Sequence, residues 1–219
     1  MIDAVAVTDP KVAKGAVERA VCRRLRVLAQ AVAADHRIVE LGAFKGRTTG
    51  WLALGAEEGN GAVVTTVDPW ELRPLSSWPD GYFDLKVIGE YGQRATYDAF
   101  REHMTRCGID AKGRGAAQVE IRKGYAATVG ERWSSPIGLL WHDAEHTAEA
   151  VAADLEVWAP HVVPGGWVVL HDAGNPNFGV VEGAAKVLDN MHWNWRGRRL
   201  LRWKKRPDRR GALFVRRHS

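Results

Sequence analysis

Five short apolar runs, each stopping at a residue able to do chemistry, constrain this chain more than any other feature. They are Arg37 to Gly42, Ala62 to Asp68, Gln118 to Arg122, Ile137 to His142 and Trp167 to Asp172. Each is too short and too rich in branched residues for a helix, so each reads as a strand. Segments with helical spacing alternate with them. Val17, Val21, Leu25, Leu28 and Val32 recur through a helix expected over Pro10 to Asp35. A second is expected from about Gly46 to Ala56, and Phe100, Met104 and Cys107 share one face of a third. Thr147 to Trp158 and about Phe178 to Asn190 supply two more, and Pro164-Gly165-Gly166 reads as a turn between strand and helix. Strands near Trp193–Trp203 and Ala212–Arg217 form a final hairpin. Apolar strands alternating with helices predict an α/β, Rossmann-like fold. The expected sheet is seven-stranded and mainly parallel, with helices on both faces and a C-terminal antiparallel hairpin. In such sheets ligands bind beyond the carboxyl ends of the strands. Glu40, Asp68, Gly124, Asp143, His171 and Asp172 all fall there, which predicts an enzyme.

The 219 residues, 46% of them hydrophobic, suit one domain over 1–219. Within it, 1–36 reads as an N-terminal helical cap, 70–92 as an active-site loop and 193–219 as a basic hairpin. No apolar run approaches the roughly 18 residues of a membrane span. Met1 to Pro10 opens with an acid and has no basic segment before an apolar stretch, so no signal peptide is expected and the expected location is cytoplasmic. Cys22 and Cys107 are too few for a disulfide scaffold and read as reduced thiols. The net charge of +5 is uneven: Arg196 to Ser219 holds eleven Lys/Arg against Asp208 alone. That run either meets an anion or guards a sheet edge. The loop from Trp70 to Gly92 gathers Trp70, Trp78, Tyr82, Phe83 and Tyr91. An irregular stretch of that length inside a domain reads as functional.

Glu40-Leu41-Gly42-Ala43-Phe44-Lys45-Gly46-Arg47-Thr48 is a strand, a glycine-rich turn and a helix start. Its glycines let the backbone approach a ligand, and the helix-start N–H groups can receive a carboxylate or phosphate. The spacing matches neither a dinucleotide fingerprint nor a phosphate loop. Asp68, ending the second strand, can accept hydrogen bonds from both hydroxyls of a ribose. The order acid, Gly, Gly, second-strand acid resembles the first motifs of class I methyltransferases, which use S-adenosylmethionine. The resemblance implies that Glu40, Gly42, Gly46 and Thr48 belong to a turn cradling the methionine end. It also implies that Asp68 holds the ribose and that Gly124 and Tyr125 lie near the adenine. Trp70, two residues past Asp68, is a further candidate to cover the adenine.

The second constellation is Trp141-His142-Asp143-Ala144-Glu145-His146, with His171-Asp172 beyond it. Two carboxylates and a histidine from adjacent strand ends can hold a hard divalent cation. Such a cation lowers the pKa of an acceptor hydroxyl and fixes it for attack. His146 then takes the proton, its ordinary pKa of about 6.5 suiting a base near neutrality. The pattern from Asp143 and His146 through Pro164-Gly165-Gly166 to His171-Asp172 resembles metal-dependent O-methyltransferases. It is most similar to macrocin-type sugar O-methyltransferases and their cephalosporin-tailoring relatives. That resemblance implies His146 as general base and Asp143, His171 and Asp172 at the metal, with Mg²⁺ expected and Mn²⁺ the alternative. His171 stands where relatives often have an oxygen ligand, and imidazole suits softer metals. It is therefore either a ligand or a residue behind the ligands. His142, His161 and His192 read as structural, and His36, following Asp35 in a polar turn, has no evident chemical partner nearby in sequence.

The expected activity is transfer of a methyl group to a hydroxyl of a sugar, a glycan precursor such as a mannoside, or a natural product. A nucleic-acid methyltransferase gripping phosphates with the basic tail is the alternative. The absence of an Asn/Asp-Pro-Pro-aromatic motif at the fourth strand counts against it. A small-molecule or oligosaccharide acceptor is the expected partner, with homodimerisation a further expectation.

Overall fold

The computed structural model describes residues 17–71, 95–109, 113, 117–191, 193, 199–202 and 211–218. The first part of the N-terminal cap, the aromatic loop beyond Glu71, His192 and most of the basic segment lie outside these residues.

Among the described residues seven strands form one sheet: β1 (Arg37–Leu41), β2 (Val63–Asp68), β3 (Val119–Lys123), β4 (Ile137–His142), β5 (Val162–Leu170), β6 (Arg199–Arg202) and β7 (Gly211–Arg216). Their order is β3-β2-β1-β4-β5-β7-β6. The first five pair in parallel, and β7 runs antiparallel to both β5 and β6. The helices are α1 (Arg19–Gln30), α2 (Arg47–Glu58), α3 (Ala95–Arg106), α4 (Ala126–Gly130), α5 (Ala148–Trp158) and α6 (Val180–Leu188). No helix among the described residues is long and apolar enough to cross a membrane.

Apolar residues at successive strand positions give the sheet two buried faces. On one face Ile38, Val64, Leu139, Trp141, Val169 and Phe214 pack with α1, α2 and α3. On the other Val39, Leu41, Val67, Leu140, Val168 and Leu170 pack with α5 and α6. The run therefore reads as continuous because odd and even positions serve different cores.

Three boundaries differ from the sequence expectation. The first helix stops at Gln30, because Asn60, in the turn before β2, donates its amide to the carbonyls of Gln30 and Val32. Pro164-Gly165-Gly166 lies inside β5 and is not a turn; Gly165 donates to Arg217 of the C-terminal segment, Arg217 donates back to Gly166, and the register with β4 shifts there. The short α4 after Tyr125 carries no amphipathic period long enough to announce it. Thr147 is the N-cap of α5, its hydroxyl accepting from the Ala150 N–H at 3.3 Å.

Candidate functional site

The carboxyl ends of β1 to β5 bring the expected residues to one edge of the sheet. Gly42 follows β1 with φ 87° and donates to the Val67 carbonyl. A Cβ there would sit 2.2 Å from the carbonyl oxygen of Asp143, so only glycine lets the turn pass against β4. Gly46, at φ 79°, is the N-cap of α2. Thr48 is buried in the first turn of that helix.

Asp68 ties this turn down. Its Oδ2 accepts from the Ala43 and Phe44 N–H groups, both at 2.9 Å, and its Oδ1 from the Trp70 N–H at 2.6 Å. Burial raises its pKa, and those three backbone donors only partly offset the rise. Trp70 is 7% exposed; its indole N–H donates to the Phe44 carbonyl and its ring packs on Tyr97 and Phe100. Gly124 donates to the Asp68 carbonyl. Tyr125 is 40% exposed and donates its hydroxyl to Glu71 at 2.5 Å, bridging the chain after β2 to that after β3.

Glu40 lies fully buried behind the turn. Its Oε2 accepts from Thr49 and Thr66 at 2.5 and 2.8 Å, while Oε1 has no hydrogen-bond partner among the described residues. Burial dominates and pushes its pKa up to about 8, so the carboxyl is mostly protonated at pH 7.

Asp143, His146, His171 and Asp172 form the second half. Their ligand-type atoms all lie within 4.8 Å of one another. His171 Nδ1 is 2.9 Å from Asp143 Oδ1 and 3.5 Å from Asp172 Oδ2. His146 Nε2 is 3.5 Å from Asp143 Oδ1 and 3.7 Å from Asp172 Oδ2. Burial works against ionising Asp143, but the charge of His171 and the contacts of both histidines hold it below the usual carboxylate range. Burial likewise opposes protonation of His171, yet the surrounding carboxylates, Asp143 first, raise its pKa well above the ordinary value. Among the described residues Phe44, Trp70 and Asp172 are the non-glycine residues with positive φ, at 48°, 46° and 52°. All three follow strand ends at this edge, where backbone strain commonly serves function.

Two participants escaped the sequence reading. Phe178, just before α6, stacks on the His146 ring with centroids 4.8 Å apart. Glu18, at the start of α1, places Oε2 3.1 Å from His171 Nε2. No local pattern marks either one. Of the other histidines, His142 pairs with Asp154 at 2.9 Å in the core, and His36 lies 3.8 Å from Asp35.

The donor set fits a divalent cation. Asp143, Asp172 and the Nδ1 of His171 converge there, with His146 beside them, neither of whose nitrogens has a hydrogen-bond partner among the described residues. A mixed nitrogen and oxygen set of this kind suits Mn²⁺ and softer ions better than Mg²⁺.

Known proteins share this fold. The family model described as a methyltransferase domain, methyltransferase family 24, matches residues 39–173. A cofactor-bound structure of Rv0187 from MTB is 21% identical, with a TM-score of 0.61, covering 96% of this chain and 85% of that one. CalS11, a calicheamicin methyltransferase, is 20% identical with a TM-score of 0.60 over 90% of this chain and 77% of its own. TomG, an O-methyltransferase of tomaymycin synthesis from Streptomyces achromogenes solved with S-adenosylmethionine, is 17% identical. Its TM-score is 0.59 over 93% of this chain and 82% of its own. With the family model spanning more than half its length, the chain belongs to this methyltransferase family, whose class I fold uses S-adenosylmethionine.

Proposed function

We propose that the protein is a metal-dependent O-methyltransferase acting on a hydroxyl of a sugar, a glycan precursor such as a mannoside, or a natural product. One observation carries the reading: a buried imidazole, His146, has both nitrogens without a hydrogen-bond partner among the described residues and stands beside two carboxylates. The work of CalS11 on TDP-rhamnose and of TomG in tomaymycin synthesis supports the acceptor class.

In this reading the Gly42–Gly46 turn, Thr48 and Glu40 receive the methionine end of S-adenosylmethionine. Asp68 keeps lone-pair capacity on Oδ1 for a ribose hydroxyl while holding the turn. Trp70 serves by fastening that turn through the Phe44 carbonyl, and Gly124 and Tyr125 border the adenine. Asp143, His171 and Asp172 would hold the divalent cation, which when bound would supply positive charge that acidifies an acceptor hydroxyl. Phe178 keeps the His146 ring facing Asp143 and Asp172. As the new O–CH₃ bond forms and the S–CH₃ bond breaks, the hydroxyl proton passes to Nε2 of His146. S-adenosylhomocysteine leaves as a neutral thioether.

The test is transfer of labelled methyl from S-adenosylmethionine into fractionated lysate of the source cell, with Mg²⁺ or Mn²⁺ and with EDTA. Label in glycan or small-molecule fractions, lost with EDTA, is the expected result. Label in nucleic acid that is indifferent to EDTA overturns the reading.

A further inference from the structure

The residues favoured at a helix N-cap, Asp among them, turn a side-chain oxygen onto the first N–H groups of their own helix. Glu18 occupies that position on α1 with extended backbone, φ −67° and ψ 142°, yet its side chain makes no such bond. The carboxylate points inward, its side chain 9% exposed, and meets His171 Nε2 at 3.1 Å. The opposite nitrogen, Nδ1, faces Asp143 and Asp172 at 2.9 and 3.5 Å. The His171 ring is itself buried and tilted against Trp141, with centroids 5.5 Å apart. One imidazole therefore has its inner nitrogen in the donor cluster and its outer nitrogen on a carboxylate from a distant helix.

We propose that Glu18 is a positioning residue: by accepting the Nε2–H of His171 it leaves Nδ1 as the ring's ligand atom, aimed with Asp143 and Asp172 at one cation. This rests on the metal reading given above and assigns His171 to the ligand shell. A histidine ligand generally needs a partner for its other ring nitrogen, which selects the tautomer, orients the ring and strengthens it as a donor. Glu18 lies outside residues 39–173, so the domain core brings the ligand and α1 brings its orienting group.

The experiment titrates the full chain, stripped of metal, with Mn²⁺ alone, following the loss of the free-ion paramagnetic resonance signal. Wild type, Glu18→Gln, Glu18→Ala and Glu58→Gln are compared. Glu58 makes the exposed pair with Arg26 between α1 and α2, away from the site, so its variant reports on helix packing alone. Glu18→Gln is expected to raise the Mn²⁺ dissociation constant about 10–100-fold, Glu18→Ala at least as much, and Glu58→Gln not at all. S-adenosylmethionine affinity stays at the wild-type value in all four, and saturating Mn²⁺ restores most of the Glu18→Gln turnover. Equal Mn²⁺ affinity in wild type and Glu18→Gln overturns the positioning role and leaves the metal reading standing. A parallel fall in S-adenosylmethionine affinity reduces Glu18 to a packing residue. A wild type that binds no Mn²⁺ overturns both.

Discussion

His146 and Glu40 are buried polar residues with opposite needs. The His146 imidazole has no hydrogen-bond partner among the described residues and, in the proposed reaction, would collect the proton of the acceptor hydroxyl. Replacing it by Ala should lower methyl transfer about 10²–10⁴-fold, with S-adenosylmethionine affinity unaltered in a direct titration. Undiminished turnover would remove it as the base. Glu40 instead holds a proton, because burial costs its charged form more than Thr49 and Thr66 return. Its pKa rises from the ordinary 4.5 to about 8 on folding. Between those values the folded state keeps a proton that the unfolded state has released, so stability falls as pH rises through that window. One proton corresponds to about 1.4 kcal/mol per pH unit. Urea midpoints of the cofactor-free protein should therefore decline from pH 5 to 8, and Glu40→Gln should flatten the decline; parallel curves for the two proteins would contradict the assignment.

At the scale of elements, the contact between α1 and α2 sets where Glu18 arrives. Gly55 and Gly59 of α2 and its C-cap lie against α1; a Cβ at Gly55 would come within 2.4 Å of the Arg26 carbonyl, and one at Gly59 within 2.2 Å of the Gln30 carbonyl. Gly55→Ala forces the helices apart and should cost about 1–3 kcal/mol in a urea unfolding experiment. An unchanged midpoint would mean that the interface yields freely. Elements were legible in the sequence where the signal is local. The apolar runs fix β1 to β4 nearly to the residue but miss the first five residues of β5, and the strand-end rule collects Glu40, Asp68, Asp143 and Asp172. Illegible features depend on partners far along the chain. Asn60 ends α1 from across the helix pair, the C-terminal segment pulls Pro164-Gly165-Gly166 into β5, and Glu18 meets His171 153 residues away. The grip of Asp68 on three backbone N–H groups, two of them in the turn, was equally hidden, because spacing reveals a carboxylate but not which donors reach it first.

For the molecule as a whole, the two cores leave Cys22 and Cys107 almost without solvent contact, at 0% and 1% exposure. Burial pushes both thiols up to about 11, with Arg47 partly countering it at Cys22. A thiol reagent at neutral pH should label neither cysteine in the native protein and both in urea, with labelling tracking the global unfolding curve. Fast labelling without denaturant would reveal local opening of α1 or α3. The sheet order carries a further consequence for biosynthesis. Because β7 lies between β5 and β6, the outer edge of β5 has no native neighbour until residues 211–216 have left the ribosome. The half of the sheet holding the Gly42–Gly46 turn can pair during translation, whereas the half bearing β5 must wait for β7, which is made after it. A nascent chain stalled before Gly211 presents an open, apolar strand edge, the kind of surface that invites chaperone binding or aggregation.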